Sequence, residues 1–155
     1  MDKFFLRSAT EKDAAAVTEC VDHAFHHYIE RIGRKPGPML MDYGNEIREH
    51  QVFVVEEDGQ MVGVLVLCIG DEGFLLDVIA VEPLYQGKGV GKLLLEFAET
   101  EARRQGFTSI YLYTHEKMTE NQLLYTRIGY VEYDRRVEHE LSRIYMRKKF
   151  VKQTS

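Results

Sequence analysis

The sequence predicts a single domain of the α/β (α+β) class, with one mixed, mostly antiparallel sheet of about six or seven strands flanked by about four helices. Three observations carry that expectation. Short apolar runs of strand-like composition recur between residues 51 and 81, separated by Gly-containing turns. Two longer segments, 17–29 and 90–102, instead repeat apolar residues at helical spacing. At 155 residues the chain suits one domain with a sizeable core over about residues 4–150, and no repeat, low-complexity tract or linker interrupts it.

Taken in order, residues 4–7 form a short first strand. Thr10 followed by Asp13 has the form of a helix N-cap with an acidic partner three positions on. Val17, Cys20, Val21, Ala24, Phe25, Tyr28 and Ile29 then share one apolar helix face. Gly33 and the run Arg34-Lys35-Pro36-Gly37-Pro38 stop that helix, and a shorter helical stretch covers residues 40–48. Residues 51–56 and 61–69 are strands joined through Asp58-Gly59, a hairpin signal. A turn at 70–73 leads into a strand over 74–81, which completes an antiparallel meander. Val90, Leu93, Leu94, Phe97, Ala98 and Ala102 trace a helix that reaches Arg104 and stops at Gly106. A strand over 110–114, a helix from 119 to 128 and strands over 130–137 and 144–150 complete the chain.

Composition narrows function by exclusion. A net charge of −5 argues against a general nucleic-acid binder. No apolar run approaches the length of a membrane span, and Met1-Asp2-Lys3 leads into a strand-like run rather than a signal peptide. Cys20 and Cys68 sit within apolar patterns and read as reduced core residues. The expectation is a cytoplasmic protein with no nucleic-acid and no membrane partner. His23, His26 and His27 invite a metal reading, but Ala24 follows His23 where a zincin motif requires Glu, so no metal is expected.

Val81-Glu82-Pro83-Leu84-Tyr85-Gln86-Gly87-Lys88-Gly89-Val90-Gly91-Lys92 is the most informative stretch. An apolar strand ends at a proline, three glycines alternate, and a helix follows at once. A Gly-rich turn opening a helix presents unpaired N–H groups at the positive end of the helix dipole, which suits a phosphate or pyrophosphate. It is not a P-loop, because Gln86 replaces that motif's first glycine and Leu93 its Ser/Thr. Nor is it a dinucleotide fingerprint, because the spacing from Gly87 is G-x-G-x-G.

Read as Gln86-x-x-Gly89-x-Gly91, the segment resembles the acetyl-CoA pyrophosphate loop Q/R-x-x-G-x-G/A of the GNAT N-acetyltransferase superfamily. The resemblance covers residues 4–150. Residues 75–81 resemble that family's central strand and residues 109–115 its next strand. Asn121 and the run from Tyr125 to Gly129-Tyr130 match its Asn and its Y-x-x-x-G-[FY] pattern. The resemblance implies a splayed parallel strand pair that holds coenzyme A, with acetyl-CoA as co-substrate and a primary amine as acceptor. Pairing into a homodimer through late strands is also compatible with it.

The same resemblance implies roles for individual residues. Gln86, Gly87, Lys88, Gly89, Val90, Gly91 and Lys92 hold the pyrophosphate, although Lys88 and Lys92 read first as solvated surface lysines that assist only weakly. The backbone of Ile79, Ala80 and Val81 lies along the pantetheine arm, with Asn121 contacting that arm or capping a helix. Tyr125 is the catalytic acid that protonates the leaving thiolate, since a phenol stays protonated at neutral pH. An alkyl ammonium, with a pKa of about 10.4, must lose a proton before attack. Asp77 and His115 are the candidate bases, and each also reads as a strand-end polar residue. For the acceptor, Tyr28, Arg31, Arg34 and Met39 lie on or near a Pro-stiffened basic loop whose arginines suit a carboxylate or simply face solvent. A CoA-binding sensor without turnover and a transferase of larger acyl groups are the competing readings.

Overall fold

Thr10 and Asp13 start the first helix as their spacing predicts. The computed structural model describes residues 3–151, so Met1 and Asp2 of the N-terminal stretch discussed above lie outside the described residues. The Thr10 N–H donates to Asp13 Oδ2 at 2.7 Å, and the chain turns through a 3-10 segment, Glu11–Asp13, into α1 (Ala14–Phe25). Four further helices follow among the described residues: α2 (Tyr28–Ile32), α3 (Tyr43–Glu49), α4 (Val90–Arg104) and α5 (Thr119–Arg127). The strands are β1 (Phe5–Ser8), β2 (Gln51–Glu57), β3 (Gln60–Gly70), β4 (Gly73–Val81), β5 (Ser109–His115), β6 (Val131–Glu138) and β7 (Leu141–Lys149). They form one mixed sheet in the order β1-β2-β3-β4-β5-β7-β6. Within it β4 and β5 are parallel, in register at Leu75 and Tyr111.

The described residues gather into two compact units, one from residues up to Cys68 with Asp77–Ala98 and one from Ile69–Leu76 with residues from Glu99 onward. In the first, β2 and β3 pair antiparallel around Asp58 and Gly59, whose φ values of 51° and 80° are those of a tight hairpin turn. Val62 to Leu67 are all buried, so β3 is covered on both faces and its run shows no polar alternation. Gly63 lets α4 approach closely: a Cβ there would stand 2.8 Å from Val90 Cγ1 and 3.2 Å from Leu94 Cδ1. The start of α4, and with it the loop ahead of it, is thereby seated directly on β3. Phe53 and Phe97 pack edge to face at 4.7 Å across the same contact between sheet and helix.

In the second unit, β5 pairs with β7 from Ser109↔Lys149 to His115↔Arg143, and β7 pairs with β6 through an irregularity between Glu132 and Asp134. Ile110, Leu112, Thr114, Ile144 and Met146 bury one face. The opposite face carries tyrosines and arginines: Arg136 lies 4.0 Å from the Tyr145 ring centroid and Arg143 lies 4.6 Å from that of Tyr113.

Two helical expectations are adjusted. The helix predicted through Ile29 is interrupted at His26 and His27, where the Ile29 N–H bonds to His26 O, a tighter i→i−3 closure that breaks the α ladder. The helix predicted over 40–48 divides into a 3-10 turn, Gly37–Leu40, and α3. Met41 is extended at φ −82°, ψ 147°, and the Asp42 carboxylate then caps a new start by accepting from the Asn45 N–H at 3.1 Å.

Candidate functional site

In the first unit the segment that follows β4 is built for exposed backbone donors. A 3-10 turn, Pro83–Tyr85, leads to Gln86, after which Gly87 and Gly89 adopt φ values of 79° and 93° that only glycine takes without strain. Nothing lies within 4 Å of where a Cβ would project from either residue. The first bond of α4 runs from the Leu93 N–H to Gly89 O at 3.0 Å. The N–H groups of Val90, Gly91 and Lys92 therefore belong to the set that a helix start leaves without intrahelical acceptors. Val90 is buried and anchors the turn, while Gln86, Gly87, Lys88, Gly89 and Lys92 are exposed and Gly91 is half-buried. This donor set fits a pyrophosphate. Gln86 folds back, its Nε2 donating to Val81 O at 3.4 Å.

Tethers fix the leading part of this segment. The Glu82 N–H donates to Val62 O, and both Glu82 carboxylate oxygens face His23 Nδ1 of α1, at 2.9 and 3.1 Å. That partnership raises the His23 pKa above its ordinary value. Further on, the Tyr85 hydroxyl donates to Glu57 Oε1 at 3.3 Å, and Lys88 Nζ lies 5.3 Å from the Tyr85 ring centroid. Lys92 lies 3.9 Å from Glu96 on the exposed side of α4.

On β4, Ala80 is buried and Ile79 and Val81 are half-buried. Asp77 is half-buried and close enough to influence Tyr43 and Cys68. Burial first, then Asp77 and Glu46, push the Cys68 thiol up to about 11. Burial, with Glu82 and Glu19, pushes Cys20 up to about 12. Both cysteines are free and protonated near neutrality, which fits neither for a nucleophilic role. Tyr43 is buried, its pKa raised by burial and then by Asp77, and its hydroxyl donates to Pro38 O at 2.6 Å. That bond pins the Pro-rich turn holding Met39, which is half-buried. Tyr28 is buried with the Arg31 guanidinium 5.2 Å from its ring centroid, and Arg34 is exposed.

In the second unit, Asn121 and Tyr125 are one turn apart on the same face of α5. Asn121 is half-buried, with its Nδ2 3.8 Å from Met118 Sδ. Tyr125 is buried, its ring 5.8 Å from that of Tyr130. Gly129, at φ 106°, turns the chain so that the Tyr130 N–H closes on Tyr125 O at 3.0 Å, which gives the Tyr-x-x-x-Gly-Tyr spacing its physical meaning. His115 Nδ1 accepts the Lys117 N–H at 3.0 Å, so one ring nitrogen is engaged in a local turn. Among the described residues no cluster of His, Cys, Asp or Glu is arranged to hold a metal ion.

The residues overlooked by sequence reasoning are Tyr43, Glu57, Glu82 and Tyr85. Two of them lie inside the diagnostic stretch. Their partners, His23 and Glu57, are distant in sequence, and no local pattern announces such pairs.

A family model described as an acetyltransferase (GNAT) domain matches residues 48–132. The L-methionine sulfoximine/L-methionine sulfone acetyltransferase of Salmonella typhimurium (strain LT2) is 32% identical over 112 residues, covering 65% of this chain and 64% of that protein. The mycothiol acetyltransferase of Jonesia denitrificans is 32% identical over 90 residues, covering 57% of this chain and 29% of that protein. The chain thus spans less than two thirds of the length of these curated relatives. Among solved structures, the PaiA N-acetyltransferase of Thermoplasma acidophilum in complex with coenzyme A matches with a TM-score of 0.80 at 19% identity, over 97% of this chain and 100% of that one. The ribosomal-protein-S18-alanine N-acetyltransferase of Escherichia coli matches with a TM-score of 0.77 at 19% identity, over 97% and 96% of the two chains. At such identities the likeness is one of fold.

Proposed function

The chain belongs to the GNAT acetyltransferase family, and from that premise we propose that it is an acetyl-CoA-dependent N-acetyltransferase that moves an acetyl group to a primary amine by direct attack. The observation that carries this reading is the glycine loop, whose left-handed Gly87 and Gly89 leave backbone N–H groups facing outward at the start of a 15-residue helix. Bound acetyl-CoA supplies an activated acyl carbon. The loop N–H groups, with Lys88 and Lys92 as nearby cations, hold its pyrophosphate, and the backbone of residues 79–81 and the Asn121 amide orient its arm.

In the transfer, the acceptor nitrogen forms a bond to the acyl carbon as the carbon–sulfur bond breaks. The Tyr125 hydroxyl gives its proton to the departing sulfur. The proton released by the amine passes to Asp77, directly or through water. His115 is the weaker candidate because its Nδ1 already accepts a backbone bond. Protonated, buried Cys20 and half-buried Cys68 support a route without a covalent enzyme intermediate.

For the acceptor, the Salmonella relative's name makes amino-acid amines the first class to try. The test is thiol release from acetyl-CoA across a panel of amino acids, peptides and small amines, with calorimetric binding of acetyl-CoA alongside. Turnover with one class of amine is the expected result. Binding without turnover on a broad panel would favour a CoA sensor, and absence of binding would remove both readings.

A further inference from the structure

The glycine loop has little packing of its own. Gly87 and Gly89 project toward open space, and a backbone this free loses much entropy when it is held in one conformation. Donors aimed at a pyrophosphate bind well only if something else holds them in place beforehand. Tyr85, immediately ahead of Gln86, is the residue placed to do so. Its hydroxyl donates to Glu57 Oε1 at 3.3 Å, at the end of β2, where the strand ladder fixes the backbone. Its ring packs edge to face against Phe4 at 6.5 Å. Its carbonyl accepts the Lys88 N–H at 3.3 Å, and the Lys88 ammonium rests 5.3 Å from the ring centroid. Glu57 is itself held, with only 17% of its side chain exposed and its Oε2 3.4 Å from Lys3 Nζ.

We propose that Tyr85 and Glu57 form a mooring that pre-positions the phosphate loop and the Lys88 side chain for the cofactor, making Tyr85 a positioning residue for pyrophosphate binding. This rests on the cofactor reading given above. The Tyr85 hydroxyl is pushed upward in pKa by burial and then by the Glu57 charge, so it remains a donor across the ordinary assay range. The mooring acts on binding, before any bond changes. Its loss therefore raises the acetyl-CoA KM and leaves kcat at saturation in place.

The experiment is calorimetric titration of coenzyme A into the wild type, Tyr85→Phe, Glu57→Ala, Glu57→Gln and the Tyr85→Phe/Glu57→Ala double variant. Acetyl-CoA kinetics and melting temperature are measured on each. Tyr85→Phe and Glu57→Ala should each weaken coenzyme A binding about three- to tenfold, the size expected for losing one ordinary hydrogen bond at a part-buried site. The double variant should bind no more weakly than either single variant, because both remove the same link. Glu57→Gln, whose amide oxygen still accepts from the phenol, should bind nearly as well as the wild type, with kcat within about twofold throughout. Wild-type affinity in Tyr85→Phe, losses that multiply in the double variant, or a kcat that falls with affinity would each overturn the mooring while leaving the cofactor reading intact. A wild type that fails to bind coenzyme A would overturn that reading and the mooring with it.

Discussion

Between Val81 and Lys92 the candidate functional groups are backbone donors, fixed by glycine conformation and by side chains reaching in from α1 and β2, whereas between His115 and Tyr130 they are side chains held by packing. On the proposed function the two regions answer different physical needs. A pyrophosphate has many acceptor oxygens, and N–H groups at a helix start satisfy them without burying a charged side chain. Proton delivery to a leaving atom needs a specific O–H at a specific place, so it calls for a side chain with restricted rotamers. Tyr125 has that restriction: it is 5% exposed, flanked by the Tyr130 ring and seated where α5 closes at Gly129. The loop has its counterpart in the His23 and Glu57 tethers. Substitutions in the two regions should therefore separate binding from chemistry.

The largest effect should come from Tyr125→Phe, which keeps the ring and removes the proton. Turnover should fall by about a hundredfold or more, the range for loss of a general acid, while acetyl-CoA affinity stays within about twofold. Steady-state kinetics with parallel calorimetry would check it. Equal losses in kcat and affinity would break the contrast, because Tyr125 would then be a binding residue like the loop.

Gly89→Ala addresses the other region. A side chain at φ 93° is strained by about 1–3 kcal/mol, and the loop can relieve that strain by abandoning its donor geometry. Acetyl-CoA affinity should drop about tenfold, with kcat at saturating cofactor much less changed. A selective fall in kcat would show that the loop takes part in the chemistry as well as in binding.

Much of this was readable in the sequence, but unevenly. The hairpin at Asp58-Gly59, the strand before Pro83 and the helix from Val90 to Arg104 follow from local chemistry, and each stands where expected. The break at His26–His27 was not readable, because both residues keep helical dihedrals and only the bonding tightens. Likewise Asp42 takes over as a cap inside what reads as one helical stretch, since a capping carboxylate and a surface carboxylate look alike until the backbone is placed. The loop glycines and the Tyr125 pattern were legible because backbone conformation and short spacing leave local marks. The tethers were not: His23 and Glu82 are 59 positions apart, and Tyr85 and Glu57 are 28 apart. Pairs so distant are set by the sheet and its covering helices, so the sequence alone gave His23 only as a rejected metal ligand.

That tether supplies the smallest and most selective test. His23 Nδ1 faces both Glu82 oxygens, with Glu19 3.8 Å from Nε2 and Asp22 adding negative charge from the same helix. All three acids favour the imidazolium, the hydrogen bond that it donates to Glu82 most strongly, so the folded-state pKa lies above the ordinary value of about 6.5. A raised folded pKa means that the folded chain holds its proton more tightly than the unfolded chain does. The resulting stabilisation is complete below the unfolded value and fades as pH climbs through the folded one. The melting temperature of the wild type minus that of His23→Gln should therefore be largest near the acidic end of a scan from about pH 5.5 to 8.5 and should shrink toward the alkaline end. Taking the difference at each pH cancels the contributions of the other histidines. Because the imidazole is half-exposed, the effect should be small and should weaken in added salt. A difference that stays flat across the scan would mean that the Glu82 contact acts through shape alone, and the loop would then be held by packing, as α5 is.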